Sequence, residues 1–255
     1  MQPIHYPFDR FDGPKQQERN SFTLAELKSS ESELLAARSS DPELSNKTRA
    51  PGKGSPRWAK FRNEELVPLL YFAKHTNASD ETSIRVMPER NDIDIEFTSS
   101  GVTKKLQITM AYPDWAAAGV IPESQSAGHY HRQQMELLNQ DGESGFGPIV
   151  KGEGNRLSQE QTSPTTPEIL CAFREGMQQA LAKKLAKSYQ TCSLVLIVHA
   201  AESSEWLSLE QFISVIREAF SAAKAEAVGE MHFSEIYVLD NEPGFFVKLR
   251  ESLGN

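Results

Sequence analysis

Asp92, Asp94 and Glu96 alternate with Ile93, Ile95 and Phe97, and beyond a turn at Ser99, Ser100 and Gly101 the residues Lys105, Gln107 and Thr109 alternate with Leu106, Ile108 and Met110. Strand side chains have period two, so this hairpin is expected to carry one apolar face and one polar face. On the polar face three acids lie beside a lysine, an amide and a hydroxyl. Carboxylates gathered on one face repel one another unless a cation or a basic partner sits among them. Oxygen donors of this kind suit hard divalent cations, so the chemistry this cluster points to is metal or phosphate binding.

The surrounding sequence supplies the elements that must hold that hairpin. Thr23 with Glu26 three residues on makes a capping box and opens an amphipathic helix to about Arg38. Pro51, Gly52, Gly54 and Pro56 break any helix, and the main domain is expected to begin at residue 57, leaving residues 1–56 as an N-terminal arm with one helix. Trp58, Phe61, Leu66, Leu69, Leu70 and Phe72 recur at helical spacing up to His75, with Pro68 a candidate kink. Strands are expected over Ser83 to Met87, Asp92 to Thr98 and Thr103 to Ala111, close enough together to form a meander. Tyr130 to Asn139 reads as a short helix and residues 141 to 163 as a long polar loop. Thr166 and Pro167 start a helix that runs to about Tyr189. Ser193 to His199 is continuously apolar, the mark of a strand covered on both faces. A helix over Ser208 to Ala225 and a strand over Glu235 to Leu239 complete the order.

This order predicts an α/β chain with a mixed central sheet and helices on both faces. The mean hydropathy of -0.49 and the hydrophobic content of 38% are low for a fully packed chain of 255 residues. Residues 1–20, 40–57 and 141–166 have no sustained apolar period and are expected to remain outside the core. With no run of about 18 apolar residues and no basic-then-apolar start, neither a membrane span nor secretion is signalled, and a cytoplasmic location is expected. Cys171 and Cys192 fit that location as reduced thiols. The net charge of -8 argues against a general nucleic-acid-coating role, because nonspecific phosphate binding needs a concentrated positive surface. Two local basic groups stand out: Lys47, Arg49, Lys53, Arg57, Lys60 and Arg62, and the trio Lys183, Lys184 and Lys187. Each reads first as a solvated linker or helix face.

A helix, a three-stranded meander, a helix and a buried strand, with an acid on the second strand and a polar-x-polar pair on the third, resembles the core of the PD-(D/E)XK nuclease superfamily, the restriction-endonuclease-like fold. The resemblance spans roughly Trp58 to Leu239 in topology and a few residues in motif. It implies that Asp94, with Asp92 as its same-face alternative, is the second-strand metal ligand. Gln107 takes the variable third-strand ligand position, and Glu64 or Glu65 the helix acid. The implied cofactor is Mg²⁺ or Mn²⁺ held by Asp94 and Gln107, with Glu65 as the supporting acid. The position that the superfamily gives to lysine holds Thr109, which supplies no positive charge. Lys105, sharing the face of Gln107, or Arg132 on the following helix are the expected replacements. The function implied is a metal-dependent phosphodiesterase acting on nucleic acid. The alternative is a catalytically inactive nuclease-fold module that engages protein or nucleic acid, a protein partner being met through the N-terminal arm.

Other sequence features carry less. His129 and His131 do not share a helix face and have no Cys or acid to complete a metal spacing. The glycines between Gly142 and Gly154 lack the order of a phosphate loop. His199, ending the buried strand, is expected to be a hydrogen-bonded residue of the sheet or its rim. No nucleophile elbow is present in the sequence.

Overall fold

The computed structural model describes residues 21–41, 44–45, 48, 59, 61–87, 92–125, 127–141, 147–152, 156–159, 162–189, 194–200, 203–227, 232–240 and 244–249. The basic residues Lys47, Arg49, Lys53, Arg57 and Lys60, together with Trp58 and Cys192, lie outside the described residues. The elements run β1 (Ser21–Thr23), α1 (Leu24–Ser40), a π-helical turn (Arg62–Leu66) continuing into α2 (Val67–His75), β2 (Ser83–Val86), β3 (Ile95–Ser99) and β4 (Val102–Ala111). There follow α3 (Ala127–Asp141), β5 (Ile149–Lys151), β6 (Leu157–Gln159), α4 (Thr166–Leu185), β7 (Leu194–Ala200), α5 (Ser203–Trp206), α6 (Leu209–Glu226), β8 (Phe233–Leu239) and β9 (Phe246–Leu249).

The seven-stranded sheet has the order β1-β2-β3-β4-β7-β8-β9. β2, β3 and β4 form the antiparallel meander, β4 and β7 pair in parallel, and so do β7 and β8. The sheet is therefore mixed. Every residue of β7 is buried, as its uninterrupted apolar run requires: Leu194, Leu196, Val198 and Ala200 enter one core, and Val195 and Ile197 the other. On the first face lie α4 and α6, through Phe173, Met177, Leu181, Phe212 and Ile216. On the second lie α1 and α2, through Leu24, Leu27, Leu34, Leu69 and Phe72.

The boundary expected at residue 57 is not a boundary of packing. β1 pairs with β2, the capping box at Thr23 and Glu26 starts α1, and the buried leucines of α1 join the same core as β2, β3 and β4. A three-residue edge strand has no period of its own, so only its partner reveals it. The expected loop over 141 to 163 contains the β5–β6 hairpin, whose Ile149 and Leu157 are buried in the α4 core. The α4 cap is Thr165 rather than Thr166, with Glu168 bonding back to it, and β9 extends the sheet beyond the last strand expected. Pro68 sits in the first turn of α2, directly after the π-helical turn.

At the β8–β9 end, Glu235 accepts from Lys104 of β4 at 2.5 Å and from Lys248 of β9, and both ammonium groups flank the Tyr237 ring. Burial works against the Glu235 carboxylate, but the two lysines prevail and hold it at about 2 against an ordinary 4.5. A carboxylate depressed by folding stabilises the fold above its unfolded value and loses that contribution as pH falls toward its folded value. The wild type is therefore expected to melt roughly 2–4 °C above Glu235→Gln at neutral pH. That gap should close between about pH 4.5 and 2, as followed by circular dichroism.

Candidate active site

Asp94 stands just before β3, where the chain bends over Asp92 to Asp94. The bend breaks the expected alternation: Ile93 joins the α4 core, whereas Ile95 and Phe97 join the α2 core. It also turns the Asp94 carboxylate toward β4. One oxygen accepts from the Gln107 amide nitrogen at 3.1 Å and the other from the Ile108 backbone N–H at 2.7 Å. The same Gln107 nitrogen donates to the Asp92 carbonyl at 2.7 Å. Gln107 is 2% exposed, so its amide oxygen also needs a partner, and the partner comes from another element. Lys184 Nζ, from the last turn of α4, donates to it at 2.6 Å.

Two features bring Lys184 there. α4 crosses the exit of β4 closely enough that a Cβ on Gly176 would sit 1.9 Å from the Tyr112 carbonyl oxygen. The crossing is fixed by the Asp114 N–H donating to the Ala172 carbonyl at 2.8 Å and by Gln179 donating to the Asp114 carboxylate at 2.6 Å. Eight residues on, about 12 Å of helix rise carries Lys184 back over Gln107. Lys184 also follows Leu181 by three residues and Met177 by seven, the inward stripe of α4. Lys183 and Lys187 are exposed, as expected of a solvated helix face; Lys184 is the exception.

The electrostatics of the cluster are dominated by its burial. Burial raises the Asp94 carboxyl, against the stabilising Ile108 N–H, the charge of Lys184, the Gln107 amide and the charge of Lys187. Burial lowers the Lys184 ammonium, with Asp94 and Glu65 opposing that shift and Lys187 and Lys183 adding to it. Glu65 thus lies close enough for its charge to act on Lys184. It belongs to the π-helical turn, which packs against β4. A π turn displaces side chains from the α-helical phase, a device frequent at functional sites. Arg62 opens that turn and is buried against Glu31 of α1, with Nε donating to Oε1 at 2.7 Å.

The other residues expected at the site fall elsewhere. Lys105 is exposed and pairs across the hairpin with Glu96. Thr109 is half-buried on β4 opposite Val198 of β7. Arg132 lines a separate cavity with His129, Gln133 and Lys151 between α3 and the β5–β6 hairpin. The cation that reaches the amide is therefore Lys184, not Lys105 or Arg132. His131 of α3 rests its ring on Tyr112, centroids 4.4 Å apart. His199 stacks on Tyr71 and has Nδ1 3.3 Å from the Met110 sulfur, as suits a residue of the sheet rim.

Among the described residues, no group of three or more His, Cys, Asp or Glu is placed to hold a metal ion. The oxygen donors at the centre are those of Asp94 and Gln107. The Asp94 carboxylate keeps lone pairs beyond the two it uses, and a carboxylate with an amide carbonyl is a hard donor set of the sort Mg²⁺ and Mn²⁺ take, with water and substrate phosphate supplying the rest. The amide presents its nitrogen to Asp94 and its oxygen to Lys184, so Gln107 would have to exchange its two ends to share a cation with Asp94. Among the described residues no helix is long and apolar enough to cross a membrane. No family model, curated protein or solved structure matches the chain.

Proposed function

We propose that this protein is a metal-dependent phosphodiesterase of the nuclease kind, built on a restriction-endonuclease-like core whose cation comes from α4 instead of β4. The observation that carries the reading is the shared amide of Gln107, with Asp94 bonded at one end and Lys184 at the other. The order of helix, antiparallel meander, helix and parallel strand supports the core assignment. On this reading Lys184 takes the part of the lysine missing at Thr109, and Glu65 that of the helix acid.

Asp94 would hold Mg²⁺ or Mn²⁺, with Gln107 joining it only by turning its amide over and releasing Lys184 to the substrate; the ion would supply polarisation of a phosphoryl oxygen and a lowered pKa for bound water. Asp94, Gln107 and Glu65 would orient that water and the substrate by hydrogen bonds. Lys184 would neutralise charge as it develops on the phosphoryl oxygens. Its burial eases release of its proton, which suits a group beside the reacting atoms. A catalytically inactive binding module draws on the same geometry, because the Asp94, Gln107 and Lys184 bonds satisfy one another without an ion.

Incubation with Mn²⁺ and supercoiled, linear or single-stranded DNA separates the two readings. The wild type should cut at least one substrate, and Asp94→Ala should cut on the order of a hundredfold more slowly or worse. Equal cutting by both proteins would contradict the assignment, and no cutting by the wild type on any substrate would leave the binding module.

A further inference from the structure

The cavity between α3 and the β5–β6 hairpin has a volume of about 370 Å³, a size that takes a small organic molecule. Its helical wall is made by His129, Arg132, Gln133 and Glu136, which follow one another at three and four residues and so share one face of α3. The adjoining face of the helix, Tyr130, Gln134 and Leu137, is buried and holds α3 to the core. The other wall is Lys151 of β5 and Leu157 of β6. Tyr130 ties the two walls together: its hydroxyl donates to the Gly147 carbonyl at 3.0 Å and accepts from Gln159 of β6 at 3.0 Å. The cavity is thus preformed, which lowers the cost of filling it. His129, Arg132, Glu136 and Lys151 are exposed, so it opens to solvent.

The lining holds both donors and acceptors. Arg132 and Lys151 bring two positive charges, one from each wall, and Glu136 one negative charge. The chain's net charge of -8 is screened beyond about 8–10 Å, whereas the two cations act on an anion at contact. Two cations, one of them a guanidinium fork, suit a phosphate dianion with three terminal oxygens better than a carboxylate, which the fork alone satisfies. A bare anion would leave the acceptors unmet. The Gln133 side-chain oxygen is buried without a hydrogen-bond partner, and the soft last torsion of a glutamine lets it turn to a donor entering the cavity that this residue lines. The occupant therefore has an anionic end and a donor end. We propose that this cavity binds a small phosphomonoester, a sugar phosphate or a nucleotide, with its phosphate on Arg132 and Lys151 and its hydroxyl or amino donors on Gln133 and Glu136. The site is separate from the Asp94, Gln107 and Lys184 cluster and does not rest on the nuclease reading.

The test is calorimetric titration of the full chain, without divalent metal, by adenosine monophosphate, ribose 5-phosphate and inorganic phosphate in turn. At least one of the two organic phosphates should bind with Kd below about 1 mM, and inorganic phosphate about tenfold more weakly or worse. Equal binding of the two organic phosphates assigns the donor end to the sugar, and tighter binding of adenosine monophosphate assigns it to the base. Arg132→Gln and Lys151→Gln should each weaken the organic phosphate about tenfold. Both residues are exposed, so both variants should keep the melting temperature. Gln133→Leu should weaken the organic phosphate and leave inorganic phosphate unchanged, because it removes an acceptor and no charge. Its melting temperature should not fall, since the lost oxygen has no bond in the structure. Three results overturn the proposal: no binding of either organic phosphate, inorganic phosphate binding as tightly as both, or a Kd that Arg132→Gln and Lys151→Gln leave unchanged.

Discussion

Glu31→Ala is expected to destabilise the protein by about 3–5 kcal/mol, far more than the loss of an ion pair on the surface. Glu31 and Arg62 are 8% and 7% exposed, and the guanidinium engages both carboxylate oxygens. Removing the acid leaves a buried guanidinium that also donates to the neighbouring Asn63 side chain. The cost is that of an uncompensated charge rather than of a lost attraction. Replacing both members, Glu31→Leu with Arg62→Met, should therefore restore most of the stability, since an apolar pair of similar volume avoids the desolvation. Urea unfolding of the two variants checks the sign and the size. The pair also joins α1 to the turn that carries Glu64 and Glu65, so Glu31→Ala should weaken the site as well as the fold. Equal stability of the single and double variants would show that the cost is not that of an uncompensated charge.

Lys184→Ala is expected to reduce Mn²⁺-dependent cleavage on the order of a hundredfold to a thousandfold, the range seen when one preorganised stabilising group is removed. Two effects add. On the proposed reading the phosphoryl group loses a neighbouring cation, and the buried Gln107 oxygen loses its donor, at about 1–3 kcal/mol of stability. Lys184→Met loses both the charge and the donor but keeps the apolar packing of the side-chain stem. Its melting temperature should fall within a few degrees of the wild type, while its activity stays as low as that of Lys184→Ala. Lys105→Ala, at an exposed position across from Glu96, serves as the control and should cut normally.

Much of the architecture is legible in the residues. Alternation along Leu106, Gln107 and Ile108 places β4, and the unbroken run from Leu194 to Val198 requires helices on both faces of β7. Asp94 and Gln107 are likewise findable, because acids and amides on a half-polar hairpin stand out from its apolar period. The rest depends on contacts between distant segments. Ser21 to Thr23 becomes a strand only against Ser83 to Arg85. Glu31 and Arg62 are ordinary charges on separate helices until packing buries them together. The bend at Asp92 to Asp94 is invisible to a period-two pattern that would carry on through Ile93.

Lys184 was the most readable of the missing pieces. Composition groups it with Lys183 and Lys187 as a solvated basic end. Helical phase, counted from Met177 and Leu181, sets it inward and apart from them, but a charged residue on an apolar stripe announces a site only when its partner is known. That partner, Gln107, lies 77 residues earlier, and Gly176 is what lets the two meet.

The central claim is that α4 supplies the cation that β4 lacks, and the double variant Lys184→Ala with Thr109→Lys tests it most directly. Thr109 lies on the same face of β4 as Gln107, two residues on, so a lysine there returns the charge from the strand. With Mn²⁺ and the DNA substrate that the wild type cuts, the account predicts that Lys184→Ala is nearly inactive and that the double variant recovers at least about tenfold of the lost rate. Full activity in Lys184→Ala would contradict it.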